Sequence, residues 1–230
     1  MGRRAVPGGD QIRINESEPS MKIALINENS QAAKNGQIHD ALTTVAGELG
    51  HEVHNYGMYT ADDAAQVTYP MVGLLTAILL NSNAADFVVT GCGTGTGSML
   101  AANAMPGVFC GLIIDPTDAF LFAQINDGNA VAMPYAKGFG WAAELNLQDC
   151  YRKLFEGESG VGYPKERAEI MAKNRGVLAD LKAKTCHDML TVLKNVDQDL
   201  LKSAIAGEKF EELFYANSQD EEISAYLRSL

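Results

Sequence analysis

Short apolar segments alternate along the chain with segments in which apolar residues recur at helical spacing. The segment KIALI (22–26), for example, is continuously apolar after its first residue, which is typical of a strand buried on both faces. Buried strands are predicted at 22–26, 51–56, 85–91, 108–115 and 130–134. Helices are predicted between them at 37–49, 69–82, 98–103 and 118–126. This order predicts an α/β fold, a doubly wound parallel sheet with right-handed crossovers and helices on both faces.

After Trp141 the pattern becomes helical and no further strand is predicted. Helices are predicted at about 142–155, 165–183, 185–206 and 220–229. Glycines near 157–162 and at Gly207 interrupt them. The sequence therefore predicts an α/β core over 21–155 and a helical C-terminal extension over 156–230. Residues 1–20 lack an apolar signal core and are predicted to form an N-terminal arm.

Composition narrows the classes of partner. The chain of 230 residues has 18 Lys and Arg against 29 Asp and Glu, a net charge of −11 at pH 7, which argues against nucleic acid or an anionic membrane as a partner. No apolar run approaches the roughly 18 residues of a membrane span. The four cysteines form no CxxC motif and indicate reduced thiols in a cytoplasmic protein. His51 and His54 have no third ligand nearby, so no metal site is predicted.

The acidic charge is concentrated in the predicted core. Residues 21–150 contain three lysines, no arginine and twelve acidic residues, a net charge of −9. An anionic substrate would therefore meet backbone N–H groups in the core, or cations from the last third of the chain.

A glycine-rich loop at residues 91–97, GCGTGTG, lies between a predicted strand and a predicted helix. Glycines let a ligand approach the backbone, and the helix N-terminus offers free N–H groups, so the loop is suited to bind an anion. A nucleotide P-loop is excluded because no lysine or arginine occurs from residue 35 to 136. A dinucleotide-binding fingerprint, GxGxxG, fits poorly because Thr96 stands where its last glycine is required. Asp115, however, ends the next strand where a ribose-binding acid is expected.

The cysteine in this loop suggests a third chemistry. Cys92 follows a strand and precedes a helix N-terminus, where a thiol pKa is lowered from about 8.5 toward neutrality. Such a group can remove a proton from a carbon next to a carbonyl, and the loop N–H groups can hold the resulting enediolate. This combination is typical of an aldose–ketose isomerase. The alternative that Cys92 only fills space beside a tight turn stays open.

The segment VVTGCGTGTGSMLAAN (88–103), with TYP at 68–70 and IND…N at 125–129, resembles the ribose-5-phosphate isomerase B / galactose-6-phosphate isomerase family. The resemblance runs from Met21 to about Ile170. It implies a Rossmann-like five-stranded αβα sandwich, a homodimer with sites at the subunit interface, and sugar-phosphate isomerisation without metal or cofactor. It places Cys92 as the base and Thr94 as the group that moves a proton between substrate oxygens. The remaining substrate-binding residues that it implies are Gly93, Gly95, Thr96 and Gly97 of the loop, and Asn126.

The chain departs from the family pattern at several site positions. Glu28 and Asn29 stand where the family usually has Asp-His, and we retain both as substrate-binding candidates. Ile125 replaces a histidine that opens the sugar ring, which suggests an open-chain substrate such as a four-carbon sugar phosphate. Of the phosphate-binding cluster only Arg167 is clearly retained, with Lys165 nearby.

Several assignments stay open on the sequence alone. Tyr69, at a helix start, can line the pocket or only pack. Phe210, Phe214 and Tyr215 are expected to serve packing or dimer contacts. The favoured hypothesis is a cytoplasmic, homodimeric sugar-phosphate isomerase. The alternatives are a non-catalytic sugar-phosphate binding protein on the same fold and, less favoured, an NAD-linked oxidoreductase.

Overall fold

The computed structural model describes residues 20–230. Its five strands form one sheet in the order β2-β1-β3-β5-β4, and every neighbouring pair is parallel. The strands are β1 (Lys22–Asn27), β2 (Glu52–Asn55), β3 (Phe87–Cys92), β4 (Cys110–Leu112) and β5 (Ala130–Pro134). The five-stranded parallel sheet that the sequence predicts is confirmed, although the observed β4 is shorter than the predicted strand 108–115.

Five helices connect or follow the strands: α1 (Asn35–Leu49), α2 (Tyr69–Asn81), α3 (Thr96–Asn103), α4 (Pro116–Leu121) and α5 (Ala143–Phe155). The C-terminal region adds α6 (Ala168–Thr185), α7 (Met189–Asn195), α8 (Gln198–Ala204), α9 (Phe210–Asn217) and α10 (Glu221–Arg228). Short 3₁₀ segments occur at Asn29–Lys34 and Lys165–Arg167, and α4 continues into a π-helical turn at Phe122–Asn126. No helix within residues 20–230 is long and apolar enough to cross a membrane.

The sheet has a buried core on each face. Alternate residues of β1 point to opposite sides, so that Ile23 and Leu25 join α1 and α5 while Ala24 and Ile26 join α2. On the α2 side the core continues into the C-terminal helices through residues such as Phe214, which is completely buried. The helix α2 is apolar on nearly all sides. It is buried along most of its length because α7–α10 pack over it.

The C-terminal helices differ in detail from the prediction. The single helix predicted over 185–206 is divided into α7 and α8, because Val196 is extended and the Asp197 carboxylate accepts a hydrogen bond from the Leu200 N–H to begin a new helix. Phe210 and Phe214 belong to α9, which the sequence analysis does not predict as a helix, and both serve the packing role expected of them.

The predicted division of the chain at residue 155 stays a prediction. The helices α7–α10, which follow this position, share a core with α2, which precedes it. The N-terminal arm predicted for 1–20 lies, apart from Ser20, outside the described residues.

The order of strands indicates where a ligand binds. β1 has β2 on one side and β3 on the other, so the chain crosses from one side of β1 to the other between β2 and β3 and the strand order reverses there. In open parallel sheets, ligands bind in the crevice outside the carboxyl ends of the strands at such a reversal. The glycine-rich loop begins at the carboxyl end of β3, at this crevice.

Candidate active site

The glycine-rich loop joins β3 to α3 in three residues, Gly93 to Gly95. Gly95 has φ +75°, a left-handed conformation, and a side chain there would lie 2.6 Å from the Leu112 Cδ1 atom. Only glycine therefore fits at this position. A side chain on Gly93 would lie 3.7 Å from the Ala136 Cβ atom and 3.8 Å from the Gln31 Nε2 atom, which are ordinary contacts, so Gly93 is not required by steric crowding.

Cys92 ends β3 and lies beneath the first turn of α3, with 9% of its surface exposed. Burial raises the pKa of its thiol, but donors of the loop and of the α3 N-terminus, among them the backbone N–H groups of Ser98, Thr94 and Gly97, lower the pKa overall. The thiolate is therefore favoured by donors of the loop and of the α3 N-terminus.

The other buried thiols behave in the opposite way. Burial raises the pKa of Cys110 to about 12, and it raises the pKa of Cys150 to about 12 as well. Among the three buried cysteines, Cys92 is thus the one whose pKa is lowered.

Tyr69, at the start of α2, forms one wall beside the loop. A side chain on Gly97 would lie 3.5 Å from the Tyr69 ring and 3.6 Å from the Cys92 Sγ atom, so the ring and the thiol flank the same glycine. The tyrosine is 52% exposed. Of the two roles left open by the sequence, this position favours lining the cleft.

Glu28 and Asn29 lie at the same edge of the sheet, directly after β1. The Glu28 carboxylate is nearly buried and accepts hydrogen bonds from the N–H and hydroxyl of Ser30, so it caps the 3₁₀ helix that follows. The Asn29 N–H donates to the Val67 carbonyl at 2.8 Å, and its side chain is exposed. Thr94 and Thr96 are both exposed on the loop.

The remaining candidates lie elsewhere in the single chain. Asn126 and Ile125 line a groove of about 840 Å³ between β4, α4 and α6, and Cys92 does not border this groove. Lys165 and Arg167 are exposed on the 3₁₀ segment that leads into α6. The single chain thus brings together the loop, Cys92, Tyr69, Glu28 and Asn29, but not Asn126, Lys165 or Arg167.

Two contributors to the site were missed by the sequence analysis. The backbone N–H of Ser98 helps to lower the pKa of the Cys92 thiol. Lys34 lies near the loop, where its ammonium donates to the Gln31 Oε1 atom at 2.8 Å and to the Tyr135 carbonyl. The position of Lys34 shortly after β1 could have indicated a place near the loop, because the carboxyl ends of parallel strands meet at one edge of the sheet. Nothing in the sequence indicates how close to the loop Lys34 lies.

This arrangement defines a class of enzyme. An ionisable thiol beneath N–H donors, at the carboxyl edge of a parallel sheet, is suited to remove a proton next to a carbonyl, and the donors are suited to hold the enediolate. Within residues 20–230, no three His, Cys, Asp or Glu side chains are grouped closely enough to hold a metal ion. The fold and site are those of an aldose–ketose isomerase.

Comparison with known proteins agrees with this class. A family model described as Ribose/Galactose Isomerase matches residues 23–152, and one described as Ribose-5-phosphate isomerase matches residues 184–230. The chain belongs to the ribose/galactose isomerase family. The family resemblance, the Rossmann-like fold and the isomerase class expected from the sequence are thereby confirmed, and they take the place of the oxidoreductase and non-catalytic alternatives.

Solved structures show the likeness over nearly the whole chain. A 4-deoxy-L-threo-5-hexosulose-uronate ketol-isomerase, crystallised with a tartrate, is 58% identical over 91% of this chain and 98% of its own, with a TM-score of 0.89. A ribose-5-phosphate isomerase from Vibrio parahaemolyticus is 48% identical over 92% of this chain and 99% of its own, also with a TM-score of 0.89. The type B ribose 5-phosphate isomerase of Leishmania infantum, at 18% identity over 73% of this chain and 99% of its own, shares the fold with a TM-score of 0.59.

Proposed function

We propose that this enzyme interconverts the aldose and ketose forms of an open-chain sugar that carries an acidic group, with Cys92 as the base. The observation that carries the proposal is the lowered pKa of a thiol held directly beneath the loop N–H groups. The candidate base and the candidate oxyanion donors thus lie together at one end of the sheet.

The reaction follows from this arrangement. The Cys92 thiolate takes a proton from the carbon next to the carbonyl, and the electron pair of that bond moves to the carbonyl oxygen to form a cis-enediolate. The N–H groups of the loop stabilise the negative charge on the oxygens. The exposed Thr94 hydroxyl moves a proton from one oxygen to the other. The Cys92 thiol then returns its proton to the neighbouring carbon, which balances the isomerisation.

The first candidate substrate class is a small sugar phosphate. This is the class named for the Vibrio parahaemolyticus relative, a ribose-5-phosphate isomerase. Arg167, followed by Lys165, is the candidate to bind the phosphate, since both are exposed and free to reach an anion. Ile125 cannot transfer protons, which supports a substrate that needs no ring opening.

The second candidate class is a sugar acid, with a carboxylate in place of the phosphate. The relative with 58% identity is named for a hexosulose-uronate. A phosphate ester carries up to two negative charges near neutral pH and a carboxylate carries one. Lys34 is a single cation close to the loop, and one cation suits a single negative charge better than two.

One experiment distinguishes these classes and tests the proposal itself. Proton–deuterium exchange at the carbon next to the carbonyl is followed by NMR over four- to six-carbon sugar phosphates and over open-chain hexuronates. Exchange confined to the phosphates supports the first class, and exchange confined to the uronates supports the second. Absence of exchange throughout the panel contradicts isomerisation of either class. Turnover of cyclic ribose 5-phosphate as fast as of tetrose phosphates contradicts the open-chain hypothesis.

We further propose that the enzyme is a cytoplasmic homodimer in which each site uses residues of both subunits. None of the 18 residues of α6 is buried, and four of its apolar side chains, Ile170, Val177, Leu178 and Leu181, are about half exposed. A helix with this much exposed apolar surface is expected to pack against another chain. The four free thiols are consistent with a reducing compartment.

Complementation between two inactive variants tests the shared site. Cys92→Ala and Asn126→Ala should each be inactive alone, whereas co-expressed or co-refolded mixtures should recover about one quarter of wild-type activity. The reason is statistical: half of the dimers are mixed, and one of their two sites has both residues intact. A mixture that stays as inactive as its components shows that Asn126 acts in the site of its own subunit or not at all.

A further inference from the structure

Asn126 lies at the end of the π-helical turn Phe122–Asn126, and the chain leaves this turn through an unusual backbone conformation. Asp127 is left-handed, with φ +47°, and its N–H donates to the Phe122 carbonyl at 2.9 Å. A residue with a side chain keeps such a conformation where the surrounding structure holds it. The position of the Asn126 side chain therefore depends on contacts that other segments make with this turn.

Arg175, on α6, contacts the residues on both sides of Asn126. Its Nη1 atom donates to the Ile125 carbonyl at 3.2 Å, and its Nε atom lies 3.5 Å from the Asp127 Oδ2 atom. Its Nη2 atom donates to the Gly160 carbonyl at 3.3 Å. One planar guanidinium thus joins the turn that carries Asn126 to the segment that follows α5.

The segment that follows α5 completes this arrangement. The Gly160 N–H donates to the Ala123 carbonyl at 2.9 Å, and the Ser159 hydroxyl donates to the Asp127 Oδ1 atom at 2.6 Å. Gly160 has φ +71°, and a side chain there would lie 2.5 Å from the Asp127 Oδ2 atom. Glycine at this position therefore leaves the Asp127 carboxylate in place beside Arg175.

These contacts also indicate what Arg175 does. Its charge is paired with the Asp127 carboxylate and its N–H groups donate to two carbonyls, so it is less suited to bind an anion than the exposed Arg167. Arg175 and Asn126 border the same groove, and Arg175 lies on the helix whose apolar side chains are proposed to meet the second subunit. The guanidinium thus connects the proposed subunit contact to the turn that carries Asn126.

We propose that Arg175 is a positioning residue, which holds the turn so that the Asn126 side chain reaches the substrate in the site shared between subunits. This inference rests on the proposed shared site and on the proposed contact of Asn126 with the sugar. Arg175 acts through the turn and not on the substrate itself.

Arg175→Ala tests the contact without any substrate. Amide hydrogen exchange is followed by mass spectrometry of the peptides that contain Asp127 and Gly160. We expect both amides to exchange about tenfold faster in the variant, because their hydrogen bonds to the turn lose the support of the guanidinium. Lys173→Ala is the matched control, since it removes the same charge from an exposed position on α6 and should leave this exchange unchanged. If Arg175→Ala does not fold, Arg175→Met replaces it with the same expected result.

Complementation separates positioning of Asn126 from a general loss of structure. Arg175→Ala alone should lose about 10²-fold in kcat/KM, the cost of misplacing a contact by about 1 Å. Mixtures with Cys92→Ala should recover about one quarter of wild-type activity, because one site of each mixed dimer has the thiol, Asn126 and its support. Mixtures with Asn126→Ala should recover none, because every site then lacks either Asn126 or its support.

Two results overturn the inference. One is wild-type exchange in a folded Arg175 variant, and the other is recovery of activity when Arg175→Ala is mixed with Asn126→Ala. Faster exchange in a protein that isomerises no sugar supports the hold of Arg175 on the turn and contradicts only the proposed function.

Discussion

Replacing Cys92 by alanine should lower kcat for aldose–ketose isomerisation by about 10³-fold, the size of effect expected when a general base is removed. The pKa of this thiol is lowered by the N–H donors of the loop, which suits it to take the proton from the carbon next to the carbonyl. Steady-state turnover and solvent deuterium exchange should fall together. Binding of a reduced, non-isomerisable analogue, measured by calorimetry, should change little because the loop N–H groups remain.

Two further variants make this test specific. Cys186→Ala removes a half-buried thiol outside the site and should leave turnover at the wild-type level. Cys92→Ser keeps the size of the side chain but replaces a thiol by a hydroxyl that does not ionise near neutral pH, so it should be nearly as inactive as the alanine variant. Substantial turnover in Cys92→Ala assigns the base to another residue.

Replacing Phe214 by alanine should lower the free energy of unfolding by about 3–5 kcal/mol, the usual cost of removing a large core aromatic. Phe214 is completely buried on α9 and stacks on Phe210, with ring centroids 5.2 Å apart and an interplanar angle of 9°. The same core contains α2, which positions Tyr69 beside the loop. Urea unfolding followed by circular dichroism measures the loss, and activity should disappear over the same urea range.

Trp141→Ala is the control, because this side chain is fully exposed and its loss should change the free energy of unfolding by less than about 0.5 kcal/mol.

The shape of the transition in Phe214→Ala also tests the predicted domain boundary at residue 155. A single cooperative transition indicates that α7–α10 and the α/β core unfold as one unit. An early transition that leaves the core and its activity intact would show an independent C-terminal domain instead.

Most of the α/β core follows from local patterns. The strands are short apolar runs, and α1 has apolar residues at helical spacing and ends at Gly50 with φ +80°, as a helix C-terminal glycine does. The loop at 91–97 could also be assigned from sequence, because a glycine-rich stretch between a strand and a helix has few other uses. These features depend on neighbouring residues along the chain.

The elements that could not be predicted depend on distant contacts. The division between α7 and α8 is set by a capping carboxylate at Asp197, which competes with a continuous apolar pattern. Continuous apolar residues in α2 indicate burial but do not say that α7–α10 provide it. The contacts of Lys34 with Gln31 and Tyr135 join segments that no spacing in the sequence brings together.

The sequence by itself therefore determined the parallel α/β sheet, the position of the glycine-rich loop and Cys92 as the candidate base, because periodicity and turn chemistry are local. The tertiary structure alone decided which donors lower the Cys92 pKa, that Glu28 caps a helix, and that Asn126 lies in a groove apart from the thiol. These outcomes required the packing of segments far apart in the chain, where burial and hydrogen-bond geometry set the chemistry of each side chain.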